Sequence, residues 1–471
     1  MELRPYQKEA VQAISNHWRE WDKELLVLPT GCGKTICFNQ VALDRSKQGQ
    51  VLILAHRDEL IEQAREKFPG ITGKIKAAEN DIKPVTVGSV QTMSRRKYDA
   101  GLFHTIIIDE AHHATSDSYQ ALLNQFPAAK VLGVTATPSR ADKKQLGNYF
   151  EGIAYEYPLR RAVQEGYLCN LTAQTIPLTI DLSGVKVRVG DFEVNSVAEA
   201  LEPYLPEIAK AIAQYAGDRK TVVFLPLVSI AQEFCRILNE NGIESREVNG
   251  SSPDRKETLQ WFNAAGKGTA LCNAMLLTEG WDCPSVDCVV VLRPTKITAL
   301  YQQMIGRGTR LYPGKKDLLI LDFLYLCTRH NLCRPASLVT GNEEDIDHVV
   351  KKAGEEQIDL FNAVSDAEES RRNKLAEELK RQASKKARTI DPLAYFMDIG
   401  DMDLEDYSPD FRWQREALTE AQKKVLDRYS IKTDGLTKGE GAIIINKLYA
   451  RRAQGLCTPK QMQLLLRLGY Q

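Results

Sequence analysis

Short, continuously apolar runs alternate along the chain with longer stretches of helical period. LLVL (25 to 28), VLILAH (51 to 56), TVGSVQ (86 to 91), TIIIDE (105 to 110) and KVLGVTAT (130 to 137) form one series. TVVFLP (221 to 226), TALCNAM (269 to 275), CVVVLRP (288 to 294) and LLILDF (318 to 323) form a second. Strands read as unbroken apolar runs when both faces are covered, so each series predicts a parallel sheet with helices on two sides. The expected fold class is α/β, with two tandem domains at 1–165 and 200–335 and a mixed connecting segment at 166–199. Within that segment, SGVKVRVGDFEV (183 to 194) alternates valines with Lys186 and Arg188. It reads equally as a hairpin with one basic face and as an amphipathic edge strand.

The pattern changes after residue 335. Residues 343–388 are strongly charged and nearly free of glycine and proline, which predicts a solvated helical arm within a 336–411 arm-and-linker region. Arg371 to Arg388 holds eight basic and two acidic residues, whereas Asp391 to Phe411 holds seven acidic and no basic ones. The tail, 412–471, is net +7 and contains a weak repeat, LTEAQKKVLDRYSI (418 to 431) against CTPKQMQLLLRLGY (457 to 470). Thr419 and Thr458 suit helix N-caps, so a small basic helical module is expected. It reads either as a nucleic-acid grip or as a helical cap.

Composition narrows the class without naming it. The 471 residues are 43% hydrophobic and 26% charged, enough for two or three domains with proper cores. Sixty-two basic and 62 acidic residues cancel, so any nucleic-acid surface has to be local. The start, MELRPYQKEA, has no signal-peptide core and no apolar run approaches a membrane span, which gives a cytoplasmic expectation with no membrane partner. Ten scattered cysteines, none in a CxxC pair, fit reduced thiols. Cys327, His330 and Cys333 have ligand-like spacing but no clear fourth ligand, so they read as ordinary side chains rather than a zinc site.

Chemistry enters at LLVLPTGCGKT. The loop from Pro29 through Thr30, Gly31, Cys32 and Gly33 joins a buried strand to a helix, and such a loop aims backbone N–H groups and a helix dipole at one spot. That spot binds phosphate, with Lys34 reaching the outer phosphates and the Thr35 hydroxyl holding Mg²⁺. Some 75 residues later, IIIDEAHH sets Asp109 and Glu110 at the end of an apolar strand. One carboxylate there can hold Mg²⁺ and the other can polarise an attacking water. In the second series, YQQMIGRGTR supplies Gln303, Arg307 and Arg310, and arginines three apart share a helical face that can reach a γ phosphate.

Together these segments resemble a superfamily-2 helicase of the DEAD/DEAH type, with likeness to RadD-like and phage-encoded helicases and to XPB and restriction-enzyme motor subunits. The resemblance spans residues 1 to 335 with motifs in family order. LRPYQ, with Arg4 and Gln7, is similar to the segment that reads adenine. LPTGCGKT matches motif I, AHRDEL (55 to 60) motif Ia, GSVQTM (88 to 93) motif Ic, DEAH motif II and TATP (135 to 138) motif III. TVVFLP matches motif IV, TEGWD (278 to 282) motif V and QMIGRGTR motif VI. Leu28 stands where the strict P-loop has glycine, a position that varies among such helicases. RadD's cysteine-rich C-terminal part is absent, so its biological role is not carried over.

The resemblance implies two tandem RecA-like P-loop domains with ATP and Mg²⁺ as cofactors. It assigns Thr135 and Thr137 to coupling, His112 to linking the ATP site with motif VI, and Gly280 and Asp282 to ribose and strand contacts. It assigns His56, Arg57, Ser89, Gln91, Thr92 and Thr278 to nucleic acid. The expected function is an ATP-dependent DNA helicase or translocase in phage or bacterial replication, recombination or repair. Its partner would be single-stranded or forked DNA without sequence preference, and the C-terminal region would recruit replication or recombination proteins. A duplex translocase that separates no strands, an RNA helicase and a non-motor ATP-dependent scaffold are the alternatives.

Overall fold

The computed structural model describes residues 3–55, 70–136, 146–188, 191–274, 281–326, 332–382, 407, 409–429, 431–453 and 456. The chain forms two compact units, Met1–Ser139 with Gly152–Val364, and Arg140–Glu151 with Ser365–Gln471.

The first unit holds two sheets. The first sheet contains β1 (Lys23–Val27), β2 (Val51–Ala55), β3 (Thr72–Lys76), β4 (Glu79–Asp81), β5 (Val85–Ser89), β6 (Thr105–Asp109), β7 (Lys130–Thr135) and β8 (Gly152–Glu156). Their order is β4-β3-β5-β2-β6-β7-β1-β8, parallel throughout except for the β3–β4 hairpin at one edge. The apolar runs occupy the centre because they are covered on both faces. Leu26, Leu54, Ile107 and Leu132 are among the side chains closed from solvent.

Register decides where the chemistry sits. Val27 lies opposite Thr135, and Asp109 opposite Val134. Ala55 lies opposite Ser89, and Leu54 opposite Ile108. The P-loop, Ser89, Asp109 and Thr135 therefore lie at the carboxyl ends of the strands, the side on which open parallel sheets bind ligands.

The second sheet takes an element from the connecting segment. Asn170–Asp181 forms the long strand β9, and a two-stranded ribbon of β10 (Val187–Arg188) and β11 (Asp191–Phe192) follows it. The remaining strands are β12 (Lys220–Leu225), β13 (Glu244–Val248), β14 (Thr269–Ala274), β15 (Cys288–Val291), β16 (Asp317–Leu326) and β17 (Ile358–Asp359). The order is β13-β14-β12-β15-β16-β9-β17, with β17 antiparallel and the others parallel. β9 is hidden in the sequence because NLTAQTIPLTID mixes polar and apolar residues. It becomes a strand by pairing with β16, whose register skips Pro177 and Leu178 between Phe323 and Leu324. A residue without an N–H is tolerated at such an irregularity.

The charged stretch after residue 340 is not wholly a solvated arm. Asn342 caps the helix Glu343–Ala353 by accepting from Glu344 N and Asp345 N. That helix buries Ile346, Val349 and Ala353, one stripe at helical spacing. Gln174 Nε2 donates to Ala353 O at 3.0 Å, and β17 closes the sheet beside β9. The next helix, Leu360–Gln382, starts with Leu360, Ala363 and Val364 buried.

The second unit contains the helices Glu420–Arg428 and Lys438–Ala453 around Leu418, Leu426, Ile431, Ile444 and Leu448. Thr419 is the expected N-cap, accepting from Gln422 N at 3.2 Å. Thr458 and the expected helix 457–470 lie outside the described residues, as do 383–388 of the basic stretch. Among the described residues no helix is long and apolar enough to cross a membrane.

Candidate nucleotide and nucleic-acid site

β1 ends at Val27 and the helix Lys34–Ser46 begins seven residues later. Between them the backbone turns through left-handed conformations at Gly31 (φ 91°) and Gly33 (φ 77°), which a Cβ would strain. Among the described residues, the N–H groups of Gly31, Gly33, Lys34 and Thr35 donate to no protein acceptor, and Lys34 makes no ion pair. A cluster of unmet donors beside an unpaired ammonium at a helix N-terminus is an anion site. The residues present therefore fit a nucleotide's phosphates. Burial pushes the Cys32 thiol up to about 11 against the opposing charges of Lys34 and Arg4, so it stays neutral and packed.

The first helix, Pro5–His17, holds this loop from behind. Tyr6 Oη donates to Cys32 O at 2.8 Å, and Gln7 Nε2 donates to the same carbonyl at 3.2 Å. Gln7 Oε1 accepts from Arg4 N at 3.0 Å, so the amide expected to read adenine is buried and engaged at both ends. Arg4 is exposed, its guanidinium 5.1 Å from the centre of the Tyr167 ring. Tyr6 stacks on Tyr157 at 4.3 Å and meets the edge of Tyr167 at 4.8 Å. These three tyrosines were not anticipated as a group, because two of them come from beyond β8.

Asp109 ends β6, and Glu110 follows in a left-handed conformation, φ 51° and ψ 60°. Its N–H donates to Asp109 Oδ1 at 3.0 Å. Non-glycine residues held in this region cost on the order of 1 kcal/mol or more and gather where geometry serves function. His112 Nδ1 lies 3.5 Å from Glu110 Oε2. Among the described residues no hydrogen bond joins His112 to the arginine turn it was expected to couple with. Thr135 is buried at the end of β7, and its carbonyl accepts from Leu28 N at 3.1 Å. Thr35 and Asp109 supply one hydroxyl and one strand-end carboxylate. That donor set suits a Mg²⁺ whose other ligands are waters and substrate phosphates.

The arginine turn approaches the P-loop from the second sheet. Thr309 Oγ1 reaches Thr30 O at 3.4 Å, and a Cβ on Gly306 would lie 2.4 Å from Thr30 Cβ, so only glycine permits this closeness. A Cβ on Gly31 would meet Leu168 at 3.0 Å and Arg310 Cγ at 3.7 Å. A narrow cleft here is lined by Pro29, Thr30, Ala136, Gln302, Ile305 and Gly306. Gln303 points to the buried side of its helix, while Gln302 lines the cleft.

Arg307 Nη1 donates to Trp281 O at 2.7 Å, and Arg310 pairs with Asp282. Lys315, which sequence reasoning missed, braces the turn. Its ammonium donates to Gly308 O, to Arg310 O at 3.0 Å and to Pro284 O at 3.4 Å, and burial holds it below the usual lysine range. Cys169 adds its N–H to Thr309 O at 2.8 Å.

Of the residues expected to touch nucleic acid, Ser89, Gln91 and Thr92 gather where β5 runs into the short helix Val90–Met93. Thr92 Oγ1 accepts from Ala77 N at 3.2 Å, and Arg96 donates to Ala77 O, which ties the β3–β4 hairpin tip to this corner. His56, Arg57, Thr137, Thr278 and Gly280 lie outside the described residues, as do Cys327 and His330.

Residues 1–140 match the family described as Type III restriction enzyme, res subunit, and residues 204–312 match the Helicase conserved C-terminal domain. The inferred ATP-dependent helicase IRC3 of Saccharomyces cerevisiae is 33% identical over 356 residues, covering 68% of this chain and 51% of that protein. The DNA 3'-5' translocase XPB2 of Sulfurisphaera tokodaii is 37% identical over 154 residues, 31% of this chain and 33% of that protein. The chain thus spans about half the length of one relative and a third of the other. Among solved structures, the fragment of an inferred HsdR subunit of a type I restriction enzyme from Vibrio vulnificus superposes with a TM-score of 0.55 at 24% identity. It covers 68% of this chain and 64% of that one. This last likeness concerns the fold alone.

Proposed function

We propose that this chain, which belongs to the superfamily-2 helicase family, is a nucleic-acid-stimulated ATPase that moves along DNA and separates its strands. One observation carries the proposal: a P-loop whose donors and Lys34 have no partner among the described residues directly faces a turn bearing two arginines from the second sheet. Lys34 and the loop N–H groups bind the phosphates, and Glu110 orients the attacking water and takes its proton. Bound Mg²⁺, held by Thr35 and Asp109, would supply charge neutralisation on the phosphate oxygens. Arg307 and Arg310 stabilise charge that develops on the transferred phosphoryl group.

Movement follows from geometry. The arginines are drawn to the γ phosphate only while it is present, so hydrolysis loosens the contact between the two sheets. Strand contacts at Ser89, Gln91 and Thr92 on the first sheet, and beyond β14 on the second, would then shift relative to one another. Such contacts go mainly to phosphates, which makes the motor indifferent to base sequence.

The name of XPB2, a DNA 3'-5' translocase, supports DNA as the track and movement as the activity; the second reading is a translocase that moves on duplex DNA without separating it. A role in phage or bacterial replication, recombination or repair remains the process we propose, with partner proteins recruited through the C-terminal region. Strand displacement on matched DNA and RNA forks, together with ATPase rates on single-stranded and duplex DNA, tests these readings. The helicase reading expects displaced DNA strands and ATPase stimulated by single strands. Stimulation by duplex without displacement would replace it with the translocase, and the absence of any nucleic-acid effect would overturn both.

A further inference from the structure

The ribbon β10–β11 is anchored to the helix that carries the arginines. Asp191 is 8% exposed, and its carboxylate accepts from Thr295 Oγ1 at 2.8 Å and from Lys296 N at 2.9 Å. Thr295, itself 1% exposed, accepts in turn from Ile297 N at 3.1 Å. Ile297 is the N-cap of the helix Thr298–Gly306, and its carbonyl accepts from Tyr301 N at 3.1 Å. A continuous run of hydrogen bonds thus leads from the ribbon to the start of the helix whose far end is Arg307. A carboxylate at this position also favours the positive end of the helix dipole.

Asp191 commits both oxygens to neutral donors, so its charge reaches the neighbouring Arg293 only at a distance and forms no ion pair with it or with Lys296. Arg293 makes no ion pair or side-chain hydrogen bond among the described residues, and its Nη1 is closed from solvent. Burial holds its guanidinium below the ordinary value, with Asp191 opposing. Lys296 lies 5.1 Å from the centre of the Phe192 ring and likewise has no ion pair among the described residues. Both cations sit just beyond the carboxyl end of β15. Unpaired cations on a loop tethered to a helix start are suited to a phosphate backbone.

We propose that this loop is where bound nucleic acid is sensed. Arg293 and Lys296 take phosphates of the strand, and the Asp191–Thr295 bridge passes the resulting displacement to the arginine helix. Asp191 and Thr295 are positioning residues, acting on Arg307 through the helix start. The inference rests on the helicase reading and adds the element through which nucleic acid sets ATP turnover.

The test is steady-state ATPase of the full chain with and without an oligo(dT), beside oligo(dT) affinity across a salt series. Asp191→Asn places an amide donor against Thr295 or Lys296 N–H. Thr295→Val removes the bridging hydroxyl at nearly constant volume, and Thr295→Ser keeps it. Asp191→Asn and Thr295→Val should hold basal turnover within about twofold and leave the KM for ATP alone, while losing roughly tenfold in stimulation, the scale of a coupling between sites. Thr295→Ser should be stimulated like the wild type. Replacing Arg293 and Lys296 together by Ala should weaken binding and flatten the salt slope by about 1.4, the value for two phosphates on a single strand. Wild-type stimulation in Thr295→Val would overturn the coupling, and an unchanged salt slope would overturn the phosphate contact. If Asp191→Asn does not fold, the Val and Ser pair at position 295 decides alone. A wild-type ATPase that no nucleic acid stimulates would instead remove the helicase reading itself, without recourse to any variant.

Discussion

The two faces of the proposed ATP cleft are built on opposite terms. On the P-loop side, Gly31, Gly33, Lys34 and Thr35 hold out N–H groups that no acceptor among the described residues takes, and Lys34 has no counter-ion among them. On the facing side, Arg307 already donates to the Trp281 carbonyl and Arg310 already pairs with Asp282. A face with unmet donors binds its ligand without rearrangement, whereas a face whose arginines already hold partners must exchange at least those of Arg307 Nη1 and Arg310, although Arg307 Nε is buried without a hydrogen bond. The exchange at Arg310 is cheap. Arg310 and Asp282 are 41% and 44% exposed, and such pairs contribute only about 0–1 kcal/mol. On the proposed reading, one face recognises the nucleotide and the other registers its arrival.

The comparison breaks most visibly at the P-loop. Lys34→Ala should abolish turnover by loss of phosphate binding. Glu110→Gln should match that loss, on the order of 10³-fold or more, yet still bind ATP and trap a closed complex. ATPase rates beside nucleotide binding distinguish the two, and near-normal turnover in Glu110→Gln would remove that residue from its role. Arg307→Ala probes the other face, with nucleotide affinity kept and turnover lowered about 10³-fold, the scale of an arginine finger. Weakened binding at unchanged turnover would make this face a second recognition surface instead.

A cut after Val364 asks whether both faces are self-sufficient. A cut nearer residue 340 would strip the helix Glu343–Ala353 and β17 from the second sheet, so it would test folding instead. The chain ending at 364 should keep basal ATPase while losing DNA affinity, with a flatter salt slope if the C-terminal cations grip phosphates. An unchanged slope in the folded truncation would make the tail a cap or docking element. The smallest effect is expected at Asp282→Asn, which frees Arg310 and should raise basal turnover severalfold. A higher KM for ATP without that rise would assign Asp282 to the ribose instead.

The sequence made the P-loop face legible because its signals are local. An apolar strand, glycines at left-handed positions and a lysine at a helix start occupy adjacent residues. The arginines were legible as a motif, but their partners were not, since Trp281, Asp282 and Lys315 converge only through the packing of β14, β15 and β16. β9 stayed hidden for the same reason, its polar alternation acquiring meaning only beside β16. The stripe Ile346, Val349 and Ala353 was masked by the charges around it.

Glu110 links chemistry to heredity. Its backbone occupies a region that glycine enters freely and other residues enter at a cost. A library of this chain selected only for resistance to unfolding should therefore drift toward Gly or Asn at position 110, while one selected for ATP turnover should retain Glu. The frequency of each residue under the two regimes would show that this position is kept by what it does rather than by how well it fits.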